Sequence, residues 1–216
     1  MKLKHLLLVA CFSFTLTPFA MAESAGELFN QGVNATNKGN YTQAAKLFEQ
    51  ACNGGYVESC HNLGFLYYKG QGIKQNYIQA AKLFEQACNS GLTESCYNLG
   101  VSYAKGYGVK QNYTQAAKLF EQTCNSGYVG GCSDLANLYY NGQGVRQSYA
   151  KAANLSEYAC NSGYAKGCFN LGVLYVKGQG KRKNFPIAKK YLGKACDLGY
   201  QQGCDAYKKL NQIGVP

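Results

Sequence analysis

Histidine is scarce in this chain of 216 residues, and the scarcity limits the chemistry that the sequence supports. The two histidines are His5 and His61, and His5 lies in a segment that we expect to be removed. Zinc sites combine histidines with cysteines about two to four residues apart, whereas the paired cysteines here lie eight apart. A Ser-His-Asp or Cys-His arrangement would have to use His61. We therefore expect no metal ion, no cofactor and no catalytic residue of these kinds.

Long apolar stretches are also lacking, apart from one at the N-terminus. Residues 1–22 combine a lysine-containing start, an apolar run from Leu6 to Phe19 and small residues that end at Ala22. This order is typical of a secretory signal peptide, so we expect a periplasmic or secreted mature protein with no transmembrane segment. Attachment to lipid through Cys11 is a less favoured alternative, because few apolar residues would precede that cysteine.

Acidic residues are few, with 11 Asp and Glu against 22 Lys and Arg. Residues 145–216 hold twelve basic and three acidic residues, whereas residues 23–144 hold eight of each. The basic end is either a solvated surface or a patch that attracts an acidic envelope surface, and we place that patch at Lys181, Arg182 and Lys183. Nucleic acid is not expected as a partner, because the chain carries an export signal and no nucleic-acid-binding motif.

No stretch alternates apolar and polar residues as a half-buried strand would; instead, the sequence repeats every 36 residues. Ala44, Gly55 and Gly70 recur at this period, together with five pairs of cysteines. The pairs are Cys52/Cys60, Cys88/Cys96, Cys124/Cys132, Cys160/Cys168 and Cys196/Cys204. A period between about 20 and 50 residues is typical of a solenoid.

Each copy contains two short amphipathic helices. In the first copy, the apolar residues from Ala44 to Ala51 follow the i, i+3, i+4, i+7 pattern, and a similar pattern begins at Cys60. Glu49 lies beside Lys46 on the polar side, so we expect surface ion pairs there and at the equivalent positions. The pattern predicts an all-α fold, an α/α solenoid of helix pairs.

The solenoid is expected to have a capping segment at each end. We predict an N-terminal capping helix within residues 23–40, the repeat array over residues 41–198, and a C-terminal capping helix and tail over residues 199–216. Terminal repeats need a polar outer face, because no further repeat covers them.

The two cysteines of each copy flank a turn that contains glycine, as at Asn53-Gly54-Gly55. On one continuous helix they would lie about 12 Å apart, beyond the limit of about 7 Å for a disulfide. The turn removes this obstacle, so we predict one disulfide within each copy, formed in an oxidising compartment. Glycines in the second helix of several copies are expected to allow close helix approach: Gly64, Gly100 and Gly172.

The segment from Cys60 to Gly72, followed by Tyr77 to Phe84, resembles the Sel1-like repeat, a relative of the tetratricopeptide repeat. With its paired cysteines, the chain is similar to the Helicobacter cysteine-rich protein group over residues 41–205. The resemblance implies a right-handed superhelix of helix pairs. It also implies two kinds of function: adaptors that bind proteins or envelope components and, for some members, penicillin binding with slow β-lactamase activity.

A serine β-lactamase needs a Ser-x-x-Lys motif together with Ser-Asp-Asn and Lys-Thr-Gly elements. Two Ser-x-x-Lys matches occur, at Ser102/Lys105 and Ser148/Lys151, but both companion elements are absent. We therefore expect neither pair to be catalytic.

Positions that vary between copies are candidates for ligand recognition. Two neighbouring positions after the second cysteine supply the predicted ligand-binding residues: His61, Tyr97 and Phe169 at the first, and Asn62, Asn98, Asp134 and Asn170 at the second. The amides can bind the backbone of an extended peptide or the acetamido groups of a glycan. Alternatively, the asparagines hold the turn between repeats.

Taken together, these features favour a non-catalytic interaction module that binds a protein, a glycan or a peptidoglycan-derived ligand of the cell envelope. The alternative, which rests on the resemblance, is a β-lactam-binding protein with slow β-lactamase activity.

Overall fold

The computed structural model describes residues 24–216, which form eleven α-helices and no strand. Helices that follow one another in the chain pack together from α1 to α11, and α7 also packs against α9. This architecture confirms the predicted α/α solenoid of helix pairs. The helices are α1 (Ala25–Asn37), α2 (Tyr41–Asn53), α3 (Val57–Lys69), α4 (Tyr77–Asn89), α5 (Thr93–Lys105), α6 (Tyr113–Asn125), α7 (Val129–Asn141), α8 (Tyr149–Asn161), α9 (Ala165–Lys177), α10 (Phe185–Asp197) and α11 (Gln201–Gln212).

The helix boundaries follow from the local sequence. Helices α4, α6, α8 and α10 begin after residues whose side chains accept hydrogen bonds from backbone N–H groups of the first turn: Asn76, Asn112, Ser148 and Asn184. Helices α3, α5, α7 and α9 end at glycines in the left-handed conformation, as at Gly70 with a φ of 69°. A side chain would be strained at this φ, so glycine ends the helix and begins the connection.

The second glycine of each Gly-x-Gly connection permits a close backbone contact. A Cβ at Gly72 would overlap the backbone of Tyr41 and Thr42, where α2 begins. The equivalent glycines lie in the same way against the starts of α4, α6 and α8: Gly108, Gly144 and Gly180. Each connection therefore rests on the preceding even-numbered helix, which fixes the spacing between repeats.

One disulfide per repeat joins the end of an even-numbered helix to the first turn of the next helix. The Cα atoms of the joined cysteines lie between 4.4 and 4.8 Å apart, because the glycine turn folds one helix back onto the other. The predicted bridge within each copy is confirmed. The five bridges are Cys52–Cys60, Cys88–Cys96, Cys124–Cys132, Cys160–Cys168 and Cys196–Cys204.

In the core, a glycine in the middle of an odd-numbered helix faces a ring in the middle of the next helix. A Cβ on Gly64 would lie 2.9 Å from a carbon of the Phe84 ring, closer than side chains pack. Gly100 has the same relation to Phe120, and the first helix pair repeats it with Gly32 and Phe48. In the last pair, Gly172 faces Leu192 instead. The expected close helix approach is therefore confirmed.

The ion pairs differ from those expected. Over residues 24–216 two are formed, Lys166–Asp134 at 2.6 Å and Lys181–Glu157 at 2.8 Å. The expected pairing of Lys46 with Glu49 was wrong, and so was its counterpart in the other copies. Both side chains are exposed, and an exposed pair gains little attraction in water for the side-chain freedom it loses.

Helices α1 and α11 form the two ends of the described chain. Helix α1 starts with a capping box, in which Ser24 and Glu27 each accept a hydrogen bond from the other's backbone N–H.

The predicted signal peptide and Cys11 lie outside the described residues, and the predicted domain boundaries remain a prediction. None of the described helices has the length and apolar character needed to cross a membrane.

We predict that the disulfides are reduced in a defined order. Both cysteines of Cys160–Cys168 have 0% exposure, whereas both of Cys196–Cys204 are partly exposed. An attacking thiolate must reach a sulfur atom, so limited dithiothreitol followed by alkylation and mass spectrometry should label Cys196 and Cys204 first. Early labelling of Cys160 and Cys168 would contradict this order.

Candidate functional site

Three pockets lie between neighbouring odd-numbered helices, and each contains at least one of the predicted recognition residues. The first lies between α1 and α3, the second between α5 and α7, and the third between α7 and α9. Asn62 lines the first, Asp134 the second and Asn170 the third. We call the surface that carries these pockets the odd-helix face. Asn98 is half-buried on α5 and lines none of the three.

The first pocket is small and largely apolar, with a volume of about 160 Å³. The ring of Phe48, 2% exposed, closes its floor, while Phe65 lies at its edge with 43% of its surface exposed. Asn62 adds an amide to this apolar edge. The first pocket can therefore take a small apolar group next to a hydrogen-bonding group.

The second pocket, of about 490 Å³, surrounds a carboxylate that is already engaged. The Tyr97 hydroxyl donates to one oxygen of Asp134 at 2.9 Å, and the Lys166 ammonium group donates to the other at 2.6 Å. The three residues belong to α5, α7 and α9. Asp134 therefore ties three odd-numbered helices together, and its predicted role in ligand binding remains a prediction.

The ionisation of these partners matches their roles. Burial and the Asp134 carboxylate raise the pKa of Tyr97 above its usual range, so its hydroxyl remains a donor. Burial lowers the pKa of Lys166, but the attraction and hydrogen bond of Asp134 outweigh this effect and leave that pKa raised. The tie thus consists of a neutral donor and a cationic donor on one carboxylate.

The third pocket, of about 240 Å³, has a buried floor with polar atoms that lack partners. Ala136 and Ser156 lie in this floor, and each is 1% exposed. Ser156 Oγ and Asn170 Nδ2 are buried, and neither atom has a hydrogen-bond partner. At the exposed rim, Lys177 donates to the Tyr140 hydroxyl at 2.6 Å. Unpaired buried groups are rare in proteins, so the third pocket is the part of the odd-helix face best prepared to bond a ligand.

His61 and Phe169, from the other predicted position, contact the next repeat. His61 Nδ1 lies 2.8 Å from the Ser95 hydroxyl oxygen, and burial lowers the pKa of His61, with partial opposition from Glu94. Phe169 packs its ring 5.3 Å from that of Tyr200 and also lines the third pocket. The side chains of His61 and Phe169 are therefore engaged in contacts between repeats.

The predicted basic patch lies in the connection between α9 and α10. Lys181 is paired with Glu157, Arg182 is exposed, and the Lys183 ammonium group lies 4.8 Å from the centre of the Phe185 ring. Sequence reasoning missed a second basic group nearby, in which three lysines of α10 line a depression of about 550 Å³: Lys189, Lys190 and Lys194. The four-residue spacing of the last two was the available signal, since it places them on one helix face.

The two Ser-x-x-Lys matches have structural roles. Ser102 is 2% exposed and donates to the Asn98 carbonyl oxygen at 2.9 Å. Ser148 caps α8 by accepting from the backbone N–H of Lys151. The Lys151 ammonium group instead lies 3.5 Å from the Tyr139 hydroxyl. Across residues 24–216, no hydrogen bond joins either serine hydroxyl to the ammonium group of its lysine.

A family model for the Sel1 repeat matches five successive segments of the sequence, residues 18–56, 57–92, 93–128, 130–164 and 165–200. The chain belongs to the Sel1 repeat family. Each matched segment from residue 57 onward pairs an odd-numbered helix with the even-numbered helix that follows it. With these repeat boundaries, the glycine–ring contacts described above lie within single Sel1 repeats, and the disulfides join successive repeats. The 36-residue copies defined from the sequence begin one helix later, at α2, so the same disulfides lie within those copies.

Two proteins of Helicobacter pylori are similar to part of the chain. HcpE of strain J99 is 33% identical over 73 residues, which cover 34% of this chain and 21% of HcpE. HcpC of strain 26695 is 43% identical over 49 residues, which cover 23% of this chain and 17% of HcpC. Both are named, provisionally, as β-lactamases. The chain thus spans only a small part of the length of these relatives.

Solved structures of other Sel1 repeat proteins share the solenoid. A protective antigen of uropathogenic Escherichia coli superposes with a TM-score of 0.79 at 22% identity, covering 88% of this chain and 42% of the antigen. A Sel1 repeat protein from Oxalobacter formigenes also has a TM-score of 0.79, at 24% identity, covering 86% and 76% of the two chains. These likenesses establish the fold.

We predict that His61 makes the stability of the protein depend on pH. Because its pKa is lowered in the folded state, the unfolded chain binds a proton more readily below about pH 6.5. The contribution of His61 to stability is present above that pH and is lost as the pH falls through the folded pKa. The melting temperature of His61→Gln should therefore fall less between about pH 7.5 and about pH 5 than that of the parent. Equal falls in the two proteins would rule out this role.

Proposed function

We propose that this Sel1 repeat protein is an exported interaction module that binds a protein or glycan of the cell envelope along its odd-helix face. The observation that carries the proposal is the row of pockets on that face. The third pocket supports it most strongly, because the Ser156 hydroxyl and the amide nitrogen of Asn170 are buried there without partners.

The repeat architecture suits an extended ligand. Stacked repeats present equivalent surfaces at regular intervals, and solenoids use such surfaces to bind long partners. The first and third pockets each place an asparagine beside apolar side chains, at equivalent positions of α3 and α9. A chain of peptide or sugar units can contact several such positions at once, so that weak contacts add.

The proposed export is supported by the disulfides. Bridges of this number form and persist in oxidising compartments, and they are rare in the reducing cytosol. Four of the bridges include at least one buried cysteine, as expected for structural bridges. The predicted signal peptide provides the route, and periplasm and extracellular space both fit.

The basic end is proposed as a secondary contact for an acidic envelope surface. The exposed Arg182 and the lysines of α10 concentrate positive charge there. Contacts of this kind weaken as salt increases, because ions screen exposed charges over about 10 Å at 0.1 M salt.

β-Lactam hydrolysis is the competing function, carried by the names of HcpE and HcpC. The hydroxyls of Ser102 and Ser148 are engaged with the helix backbone, as a donor and as a cap. Turnover of a chromogenic β-lactam that disappears in a Ser102→Ala/Ser148→Ala variant would replace our proposal.

The proposal is tested by placing a charge on one face or the other. Phe65 is 43% exposed on the odd-helix face, and Ile78 is 66% exposed on α4. Immobilised parent protein, Phe65→Glu and Ile78→Glu are incubated with purified peptidoglycan and with detergent-solubilised envelope proteins. We expect Phe65→Glu to retain at least about tenfold less of the bound component, since an apolar contact becomes a charge, while Ile78→Glu retains as much as the parent.

Melting temperatures are measured to check that both variants are folded. Equal losses in the two variants, or no retention by the parent from either preparation, would contradict binding along the odd-helix face.

A further inference from the structure

One helix pair breaks the glycine–ring rule of the core at both positions. The middle residues of successive even-numbered helices are Phe48, Phe84, Phe120, Ser156 and Leu192, and their partners are Gly32, Gly64, Gly100, Ala136 and Gly172. A Cβ on the glycine cannot coexist with the ring, because on Gly100 it would lie 2.7 Å from a ring carbon of Phe120. The α7–α8 pair differs at both positions: Ala136 replaces the glycine, and Ser156 replaces the ring.

The third pocket lies beside the position of the missing ring: Ser156 lines it, whereas the rings of Phe48 and Phe120 line the equivalent first and second pockets. The methyl group of Ala136 replaces only a fraction of a phenyl ring, and the buried cluster around Ala152 and Leu174 contains no phenylalanine. The Ser156 hydroxyl is left 1% exposed without a partner. An unfilled space and an unpaired hydroxyl both destabilise a fold. Ser59 and Ser133 also have buried hydroxyls without partners, so the missing ring, and not the hydroxyl, distinguishes this repeat. A departure of this kind from a repeated rule is found at functional sites.

The size of the pocket selects the occupant. Pockets for drug-sized ligands have volumes of about 300–1,000 Å³, whereas the third pocket has about 240 Å³. It is large enough for one side chain of the size of the missing ring. Phe169, Val173 and Leu174 give it apolar walls, which favour an aromatic ring over a polar group.

The polar atoms of the pocket indicate which hydrogen-bonding group of the ligand lies next to the aromatic ring. Asn170 Nδ2 is a donor, and the Ser156 hydroxyl can also donate. The Asn170 nitrogen requires an acceptor, whereas the Ser156 hydroxyl can donate or accept. A backbone carbonyl oxygen of an extended segment can accept from both. At the rim, Lys177 is exposed, and the connection that follows it carries the basic residues 181–183, so acidic neighbours of the ring are favoured.

We propose that the third pocket receives one aromatic side chain from an extended, acidic segment of a partner protein, with Asn170 donating to a backbone carbonyl of that segment. This inference rests on the proposed binding function and specifies the chemistry of its partner. Among the helix pairs of residues 24–216, the α7–α8 pair alone lacks both the glycine and the ring. The third pocket therefore fixes where along the solenoid the segment binds.

The test uses two acetylated and amidated peptides, Glu-Gly-Phe-Gly-Glu and the matched Glu-Gly-Ala-Gly-Glu. Each is titrated into the ¹⁵N-labelled mature protein and followed by nuclear magnetic resonance. We expect the phenylalanine peptide to shift the side-chain amide signals of Asn170 and backbone signals of α7 to α9. The alanine peptide should bind at least about tenfold more weakly, because it lacks the apolar group that fills the pocket.

Two variants locate the binding. Ala136→Gly/Ser156→Phe restores the arrangement of the other helix pairs and fills the pocket, so it should fold and bind the phenylalanine peptide at least about tenfold more weakly. Asn170→Leu keeps a similar size but removes the donor, and it should weaken binding about fivefold or more. Ile78→Ala, on the exposed side of α4, is the matched control and should bind like the parent.

Melting temperatures establish that each variant is folded, and Asn170→Leu decides the question if the double variant is not. Equal binding of the two peptides, no binding of either, or undiminished binding by the folded variants would overturn the inference. Failure of both peptides leaves the broader proposal to the envelope-retention experiment. Peptide binding without envelope retention would instead reject the broader proposal and preserve the pocket.

Discussion

The contact between a helix glycine and an aromatic ring is the constraint on which the rest of the solenoid depends. In three helix pairs it brings the odd-numbered helix close enough to the next helix for the ring of Phe48, Phe84 or Phe120 to be 2% exposed. Because the glycine has no side chain, the ring fills the space where one would be. The glycine is present in the α1–α2, α3–α4, α5–α6 and α9–α10 pairs. The departure at Ala136 and Ser156 is therefore a local change in a repeated rule, and it gives the third pocket a floor without a ring.

The disulfides act at the other junction of the array. A glycine–ring contact holds the two helices within a Sel1 repeat, whereas a bridge such as Cys88–Cys96 holds one repeat to the next. Constraining the unfolded chain in this way stabilises a fold, and the small helix pairs here bury few large side chains. Packing and covalent linkage thus alternate along the chain, which lets one pair lose its ring without loss of the array.

Much of the fold could be predicted from the period of the sequence. Residues that recur every 36 positions must occupy equivalent environments, so the cysteines predicted the helix pairs and the bridges together. The tie of Tyr97 and Lys166 to Asp134 could not be predicted in the same way. Its members lie 37 and 32 residues apart and are not repeated in the other copies, so no pattern indicated it.

The candidate site was predicted in part. Comparing copies directed attention to Asn62 and Asn170, and both line pockets. The replacement of phenylalanine by Ser156 was visible in the sequence, but its meaning required knowing that this position faces Ala136. The ion pair expected between Lys46 and Glu49 shows the opposite case, in which favourable spacing did not lead to a contact because both side chains remain solvated.

A double-mutant cycle at Ala136 and Ser156, measured by urea unfolding, tests the glycine–ring rule most directly. Ala136→Gly alone enlarges the space, and Ser156→Phe alone forces a ring against the Ala136 methyl group. The rule predicts that the double variant is more stable than either single variant, with a coupling free energy of about 1–3 kcal/mol. Additive effects of the two substitutions would show that the residues do not share a contact and would contradict the glycine–ring rule.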